Sequence, residues 1–338
     1  MLEHVVSSPT LLDALPNRST HLASPFDGLL HGFAVKRVAP SPSSGLRLAA
    51  HPRINGAPSH NTLRRLRPPR PDIAIPPLPH GAEWIGEPID SIDRLVASRP
   101  VLVHFFDFAQ LNSVRTVPYL TAWHDRYSDE GLAMVGVHSP RFPFTQDHDV
   151  VVEAAERLEI GWPVIVDREF SLWRLYEPHG WPALFLWGRG GALRWYHLGE
   201  GDYAGTEEAI REALAESNGG HEWPDLLEPL RPSDAADAKV IPPTPEVFPG
   251  GSTEEAWHRA DADRILEASY QAGGAYAATD GEGEIAIQLD GEIRDPVQVS
   301  YPGLQELTTH ERTERHLLRL EPSPGLLIYS LQFAPGIP

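Results

Sequence analysis

The stretch Pro100–Pro118 reads PVLVHFFDFAQLNSVRTVP and decides the fold of this chain. Its first part, Pro100–Phe108, is a nearly unbroken apolar run, which is typical of a strand buried on both faces of a sheet. An amphipathic helix is predicted directly after it, over Val114–Tyr127. The apolar stripe of this helix consists of Val117, Leu120, Trp123 and Tyr127. The sequence therefore predicts a buried strand that leads through a turn into a helix.

Predicted strands and helices alternate on the C-terminal side of this stretch. The predicted strands are Leu132–His138, Trp162–Asp167, Ala183–Trp187 and Ala192–Leu198. The predicted helices are Asp149–Leu158, with Asp147 or Asp149 as its N-cap, Ser171–Tyr176, and Thr206–Glu216, with Thr206 as its N-cap. Residues Gly188–Gly191 predict a tight hairpin between the last two strands. Together these elements predict an α/β unit over 79–217, in which a mixed sheet carries helices on both faces.

The regions on either side of the α/β unit differ from it in composition. Residues 1–78 are rich in Pro, Ser and Arg, and prolines remove backbone donors, so a disordered basic tail is expected there. Residues 218–244 are rich in Pro and Asp, which predicts a linker. From residue 245 the apolar residues alternate, which predicts an all-β, jelly-roll-like sandwich over 245–338. Its predicted strands are Ile285–Leu289, Pro296–Ser300, His316–Leu320 and Leu326–Phe333.

The composition excludes several classes of function. The 338-residue chain contains no cysteine, so it has no disulfide, no thiolate nucleophile and no cysteine-ligated metal. Residues 1–70 hold nine basic and three acidic residues, whereas residues 71–338 hold 19 basic and 44 acidic ones, a net charge of −25. A body this acidic repels polyphosphates, which argues against nucleic-acid binding. No apolar run approaches the roughly 18 residues of a membrane span and no signal peptide is evident, so the default expectation is a cytoplasmic protein.

From Trp84 to Glu216 the α/β unit resembles a thioredoxin-like domain of the TlpA/DipZ type. In that family the strand that corresponds to Pro100–Phe108 leads into a Cys-x-x-Cys turn, followed by a basic residue and an early proline in the helix. In this chain Gln110 and Ser113 occupy the positions of the two cysteines. The residues that keep the family's frame around the turn are Asn112, Arg115 and Pro118.

Further landmarks follow in the order that the family has them. They are the GVHSP segment (Gly136–Pro140), the Trp181-Pro182 pair and the GEGDY segment (Gly199–Tyr203). The resemblance implies that Pro182 is the proline that thioredoxin-like folds hold cis beside the active-site turn. The TPEVFPG (Thr244–Gly250) and GLLIYSLQFAPG (Gly325–Gly336) segments resemble the carbohydrate-binding-like β module that follows thioredoxin in some DipZ proteins.

The resemblance implies an oxidoreductase family, but the residues at the turn do not permit its chemistry. Thioredoxin chemistry needs a thiolate of low pKa and a second sulfur that resolves the mixed disulfide. Gln110 has no ionisable proton, and Ser113 has a hydroxyl with no His–Asp pair beside it in sequence to act as a base. We therefore expect no thiol-disulfide exchange and no thiol peroxidase activity from this chain alone, and we assign no catalytic residue.

Candidate binding residues remain on the surface around the turn. The N-terminus of the helix offers free N–H groups to an anion or to an extended peptide. A cis Pro182 would place its neighbouring backbone as an edge for a peptide strand. Glu200 and Asp202 are two residues apart, which suits either an acid–base pair or turn residues that cap the following helix. The candidate binding residues are Asn112, Arg115, Trp181, Pro182, Glu200 and Asp202.

The remaining histidines and aromatic residues indicate weaker possibilities. No metal site is predicted, because His138, His148, His179 and His197 lack metal-binding spacing and fall on different elements. Five rings of the β module either stack on sugars or hold its strands together. These rings belong to Trp257, Tyr270, Tyr276, Tyr301 and Tyr329.

The sequence thus predicts a redox-inactive thioredoxin-like protein that works as a binding module. The expected partner is a protein or peptide at the thioredoxin face, and no cofactor is predicted. Two alternatives stay open. The first is a DipZ/TlpA-related or peroxiredoxin-like enzyme with non-thiol chemistry or with cysteines supplied by a partner. The second is a carbohydrate-binding protein that acts through the β module.

Overall fold

The computed structural model describes residues 73–219, 222–258 and 265–338. The strands β1–β12 are Glu83–Ile85, Val101–Phe106, Ala133–His138, Val164–Val166, Ala183–Trp187, Leu193–Leu198, Trp257–His258, Leu266–Asp280, Gly283–Leu289, Glu292–Val299, Gly303–Pro322 and Leu327–Ala334. The helices α1–α5 are Ile92–Ser98, Leu111–Tyr127, His148–Arg157, Ser171–Tyr176 and Tyr203–Asn218. Among the described residues, no helix combines the length and apolarity that crossing a membrane requires.

The first six strands form one mixed sheet in the order β1-β4-β3-β2-β5-β6. Strands β2, β3 and β4 run parallel, whereas β5 and β6 run antiparallel to their neighbours. Alternate residues of β2 point to opposite faces: Phe105 packs against Tyr176 of α4, and Leu102 lies in the cluster that contains Leu120 of α2 and Ile210 of α5. The predicted mixed sheet with helices on both faces is confirmed.

The last six strands form a second, all-antiparallel sheet in the order β10-β9-β11-β8-β12-β7. The predicted runs at His316–Leu320 and Leu326–Phe333 lie within β11 and β12, and β11 is 20 residues long. The 15-residue strand β8 was not predicted, because its sequence is rich in Ala and Gly and shows no alternation of large apolar residues. The all-β character of this region is confirmed, and the jelly-roll arrangement stays a prediction.

The N-terminal ends of two helices differ from the sequence prediction. Helix α2 begins directly after Gln110, which is its N-cap, three residues earlier than predicted. The prediction that Thr206 caps α5 is wrong, because the helix begins at Tyr203 and Thr206 is buried inside it. A tertiary contact explains the earlier start: the Tyr203 ring stacks on Tyr119 of α2 with their centroids 3.6 Å apart. By contrast, Asp147 caps α3 through the backbone N–H of the second helical residue, as predicted.

The segments that flank the α/β unit also contact it. Most of the predicted disordered tail lies outside the described residues, but its C-terminal end is ordered, since Ile73 and Ile75 are buried in the core. Two isoleucines separated by one residue lie on the same side of an extended segment, so both reach the sheet. The predicted linker also packs on the α/β unit, because Trp223 and Leu227 lie against the cluster beside α2 and α5.

Candidate functional site

The turn between β2 and α2 uses both residues at the cysteine positions as structural groups. The side-chain oxygen of Gln110 accepts a hydrogen bond from the Ser113 N–H at 3.0 Å, which caps the helix. The Ser113 hydroxyl is fully buried and accepts from the Asp107 N–H at 3.4 Å. Neither side chain is placed to attack a substrate, because the Gln110 amide is not a nucleophile and the Ser113 hydroxyl is buried.

The buried side chain of Asp107 stabilises the turn between β2 and α2 through hydrogen bonds. Asp107 accepts hydrogen bonds from the backbone N–H groups of Ala109 and Arg141, each at 2.7 Å. Burial raises the pKa of Asp107, although the hydrogen bond from Thr145 and the two backbone donors act in the opposite direction. The carboxylate therefore ties the turn to the loop after β3, and sequence reasoning missed this role because a single Asp after a strand carries no distinctive signal.

Two buried histidines lie on the strands under the turn. His104 and His138 are both fully buried, and desolvation lowers the pKa of each from 6.5 to about 3. The Nε2 atom of His138 lies 3.8 Å from a carboxylate oxygen of Asp107. Both imidazoles are neutral at physiological pH, and a base of such low pKa removes protons from a hydroxyl poorly.

The Trp181–Pro182 peptide bond is cis, as the resemblance implies. The Trp181 indole N–H donates to the backbone oxygen of Ser139 at 2.9 Å, and the guanidinium of Arg141 lies over the same ring. Pro182 is buried, and its carbonyl oxygen accepts from the Gly199 N–H at 2.8 Å. The carbonyl oxygen of Pro182 is therefore already bonded within the chain.

The second sheet covers the turn itself. Gln332 of β12 is only 3% exposed and accepts from the Leu111 N–H at 2.6 Å through Oε1. Its Nε2 atom donates to the Ala109 carbonyl oxygen at 2.7 Å. Nearby, the Tyr329 ring packs against Phe144, with their centroids 5.2 Å apart. Strand β12 of the same chain thus contacts the backbone of the turn on both sides of Gln110, and no local feature of the sequence marks Gln332 for this role.

Two of the candidate binding residues form a buried ion pair. The Nε atom of Arg115 lies 2.6 Å from Oε1 of Glu200, and a second nitrogen of Arg115 lies 3.6 Å from Asp234 of the linker. Arg231 completes the network through a 2.8 Å contact with Asp234. Burial raises the pKa of Glu200, whereas Arg115 and Arg231 act to lower it. Glu200 therefore pairs with Arg115, while Asp202 occupies the N-cap position of α5.

A groove of about 1460 Å³ lies beside this ion-pair network. Its walls come from the first turn of α2, from the end of β6, from the start of α5 and its preceding loop, from the linker and from Pro335 directly after β12. The lining includes five carboxylates, those of Glu200, Asp202, Glu208, Glu212 and Asp234, together with Arg211, His197, Asn112 and Pro335. We refer to this cavity as the acidic groove. It brings Asn112, Glu200 and Asp202 together, whereas Trp181 and Pro182 are not among its lining residues.

The aromatic residues proposed for sugar stacking are mostly used within the protein. Tyr270 and Tyr329 are buried, and the guanidinium of Arg157 lies 3.8 Å from the ring centroid of Tyr301. Trp257 and Tyr276 are half-buried. In the ranges that the structure describes, no group of three or more His, Asp or Glu residues is arranged to hold a metal ion.

Comparisons with known proteins agree with this architecture. No family model matches the chain. Protein DipZ of Mycobacterium tuberculosis (strain CDC 1551 / Oshkosh) is 25% identical over 285 residues, which cover 73% of this chain and 40% of that protein. NHL repeat-containing protein 2 of Bos taurus is 36% identical over 133 residues, 38% of this chain and 18% of that protein. Thiol-disulfide oxidoreductase YkuV of Bacillus subtilis (strain 168) is 26% identical over 153 residues, 45% of this chain and 99% of that protein.

The chain spans less than half the length of DipZ and less than a fifth of NHL repeat-containing protein 2. The similarity to DipZ extends beyond the α/β unit, whereas the similarity to YkuV has the length of a single domain. The strand–turn–helix geometry at Gln110, the cis Pro182 and these similarities lead to one conclusion. The chain contains a domain of thioredoxin-like fold that is similar in sequence to DipZ and has no cysteine, followed by a C-terminal β module.

Proposed function

We propose that this chain is a redox-inactive binding module that takes its ligand in the acidic groove. The observation that carries the proposal is that the α/β unit, the linker and the β module all contribute to one cavity. Ligand sites occur preferentially where separate units of a protein meet. The volume of the acidic groove exceeds the range of about 300–1,000 Å³ that is usual for small-molecule pockets, so a peptide segment suits it better.

The charge of the acidic groove indicates the chemistry of the ligand. Glu208 and Glu212 on α5 are exposed at the groove and Asp202 also lines it, whereas the Glu200 and Asp234 carboxylates are paired with arginines. Nucleic acid and other polyanions are repelled by such a surface, whereas a peptide with Arg or Lys side chains is attracted to it. Asn112 adds a side chain that can both donate and accept hydrogen bonds. We therefore propose a cationic peptide segment as the ligand class.

Redox inactivity is the second half of the proposal. Two groups support it: the Gln110 amide caps α2, and the Ser113 hydroxyl is fully buried. A non-thiol hydrolytic activity has less support, because the histidines nearest the turn have pKa values of about 3. Glycan binding has less support as well, since three of its five proposed rings are buried or covered within the protein.

A selection experiment tests the binding proposal. Peptides are selected from a random-sequence library against the full chain, and their affinities are measured by fluorescence anisotropy. The selected peptides should be rich in Arg and Lys, and Glu208→Gln/Glu212→Gln should weaken their binding by about tenfold, since each of the two lost charge contacts contributes about 0.7 kcal/mol. The matched control Glu282→Gln/Glu311→Gln removes the same charge from exposed positions on the β module and should bind normally.

Two results would contradict the binding proposal: a library that yields no peptide, or peptides that bind the groove variant and the control variant equally. The redox half has its own measurement. The purified chain should reduce insulin disulfides no faster than a buffer blank that contains the same reductant.

A further inference from the structure

We propose that strand β12 is a built-in cover, which keeps the thioredoxin-like turn closed to external peptides and reagents. This inference goes beyond the acidic groove and does not depend on a ligand there. It rests on the contacts between Gln332 and the backbone on both sides of Gln110.

Gln332 bonds two backbone groups of the turn, one on each side of Gln110. Leu111 is the first residue of α2, and the first N–H groups of a helix have no acceptor within the helix. The Gln332 side chain supplies that acceptor at 2.6 Å and donates to the Ala109 carbonyl oxygen at 2.7 Å. A primary amide presents a donor and an acceptor side by side, as a peptide unit of a docked strand does. Gln332 thus takes the place of a bound backbone.

The Gln332 amide is held firmly in this position. Its Nε2 atom also lies 3.0 Å from the Ser330 hydroxyl, and both residues are buried. Breaking the contact inside a closed interface would leave a buried amide without hydrogen-bond partners, which is unfavourable. An external peptide therefore has to displace the strand rather than bind beside it.

Further contacts between the β module and the α/β unit surround Gln332. Tyr329 packs against Phe142 and Phe144, which lie in the segment between β3 and α3. Arg157, at the end of α3, lies over the Tyr301 ring of the β module at 3.8 Å. An apolar centre with charged contacts at its edge is the anatomy of a stable interface. The cover is therefore closed in the isolated protein.

The absence of cysteine from the chain provides a direct test. In the full chain, Gln110→Cys introduces a single thiol at a half-buried position between the two residues that Gln332 bonds, and its rate of reaction with a maleimide reports how often the turn is open. Adding Gln332→Ala should speed the reaction by about tenfold, which corresponds to about 1.4 kcal/mol of lost closure. Adding Gln298→Ala, an exposed glutamine on β10 at the far side of the sheet, should leave the rate unchanged.

Equal rates for the Gln332→Ala and Gln298→Ala backgrounds would overturn the proposal, and so would fast labelling of Gln110→Cys alone at the rate of a free thiol. Amide hydrogen exchange in the unaltered chain decides the matter even where the Gln332→Ala protein does not fold. The Leu111 amide should exchange slowly, because its acceptor is Gln332. Exchange of the Leu111 amide as fast as in a short peptide means that the turn is open and the cover does not exist.

Discussion

The guanidinium of Arg115 lies 2.6 Å from the carboxylate of Glu200, although 85 residues separate them in the chain. Each side chain is about one-tenth exposed. The pair joins the first turn of α2 to the loop before α5, and Asp234 brings the linker to the same point. A buried network of three side chains therefore joins three segments of the chain beside the acidic groove.

Removing one member of this pair should destabilise the protein. Arg115→Met leaves Glu200 buried with only the more distant Arg231, at 3.9 Å, as a cation. We expect the free energy of unfolding in urea to fall by about 3 kcal/mol. The double variant Arg115→Met/Glu200→Gln should recover part of this loss, because no buried charge is then left unpaired. A double variant that is less stable than Arg115→Met contradicts this account.

We expect the buried His104 side chain to give the protein a lower free energy of unfolding, at every pH, than an apolar side chain at that position would. It is fully buried, and neither ring nitrogen has a hydrogen-bond partner among the described residues. Replacing it by leucine removes the unsatisfied polar atoms, so we expect His104→Leu to raise the free energy of unfolding at neutral pH by about 1 kcal/mol. His179→Leu changes an exposed histidine in the same way and serves as the control. A loss of stability in His104→Leu would show that the imidazole is satisfied after all.

The pH dependence of stability provides a separate measurement on the same residue. Burial lowers the pKa of folded His104 from 6.5 to about 3, so the unfolded chain binds a proton that the folded chain excludes. Stability should therefore fall as the pH drops from 6.5 to about 3, by up to about 1.4 kcal/mol per pH unit for this one group. Urea unfolding of His104→Leu across this range should have a correspondingly smaller slope. His138, with the same lowered pKa, contributes a pH dependence of the same sign.

We expect that a side chain at position 136 lowers the stability of the protein. A Cβ atom at this position of β3 would lie 2.8 Å from Val164 and 3.3 Å from both Phe106 and Trp162. Overpacking of this kind costs about 1–3 kcal/mol, which thermal and urea unfolding of Gly136→Ala would detect. Gly180→Ala is the matched control, because a Cβ atom there meets nothing within 4 Å. Equal stabilities of the two variants would mean that β3 and β4 shift to make room.

Introducing cysteines at positions 110 and 113 should allow a disulfide to form between them. It should give only slow reduction of insulin. Gln110→Cys/Ser113→Cys places two thiols at the N-terminus of α2 with two residues between them, the spacing of thioredoxin motifs. Under oxidising conditions we expect a monomer that is two mass units lighter, whereas Gln110→Cys alone cannot form this bridge. Insulin reduction by the double variant should stay slow and increase when Gln332→Ala is added. Oxidation that produces only intermolecular dimers contradicts the thioredoxin-like geometry of the turn.

Local patterns carried most of the information about the fold. The apolar run before Gln110 predicted β2, and the apolar stripe ending at Tyr127 predicted α2, because both patterns depend on nearest neighbours along the chain. The early start of α5 could not be predicted in this way. It depends on the stacking of Tyr203 on Tyr119, which are 84 residues apart and meet only in the folded protein.

The sequence alone also excluded thiol-disulfide exchange, because a chain without cysteine cannot exchange disulfides in any conformation. What covers the site was decided only by the tertiary structure. The hydrogen bonds from Gln332 to Ala109 and Leu111 join residues more than 220 positions apart, and the Arg115–Glu200–Asp234 network gathers three separate segments. Such contacts leave no periodic signal in sequence. They form because buried amides and charges must find partners wherever the packed strands and helices bring them.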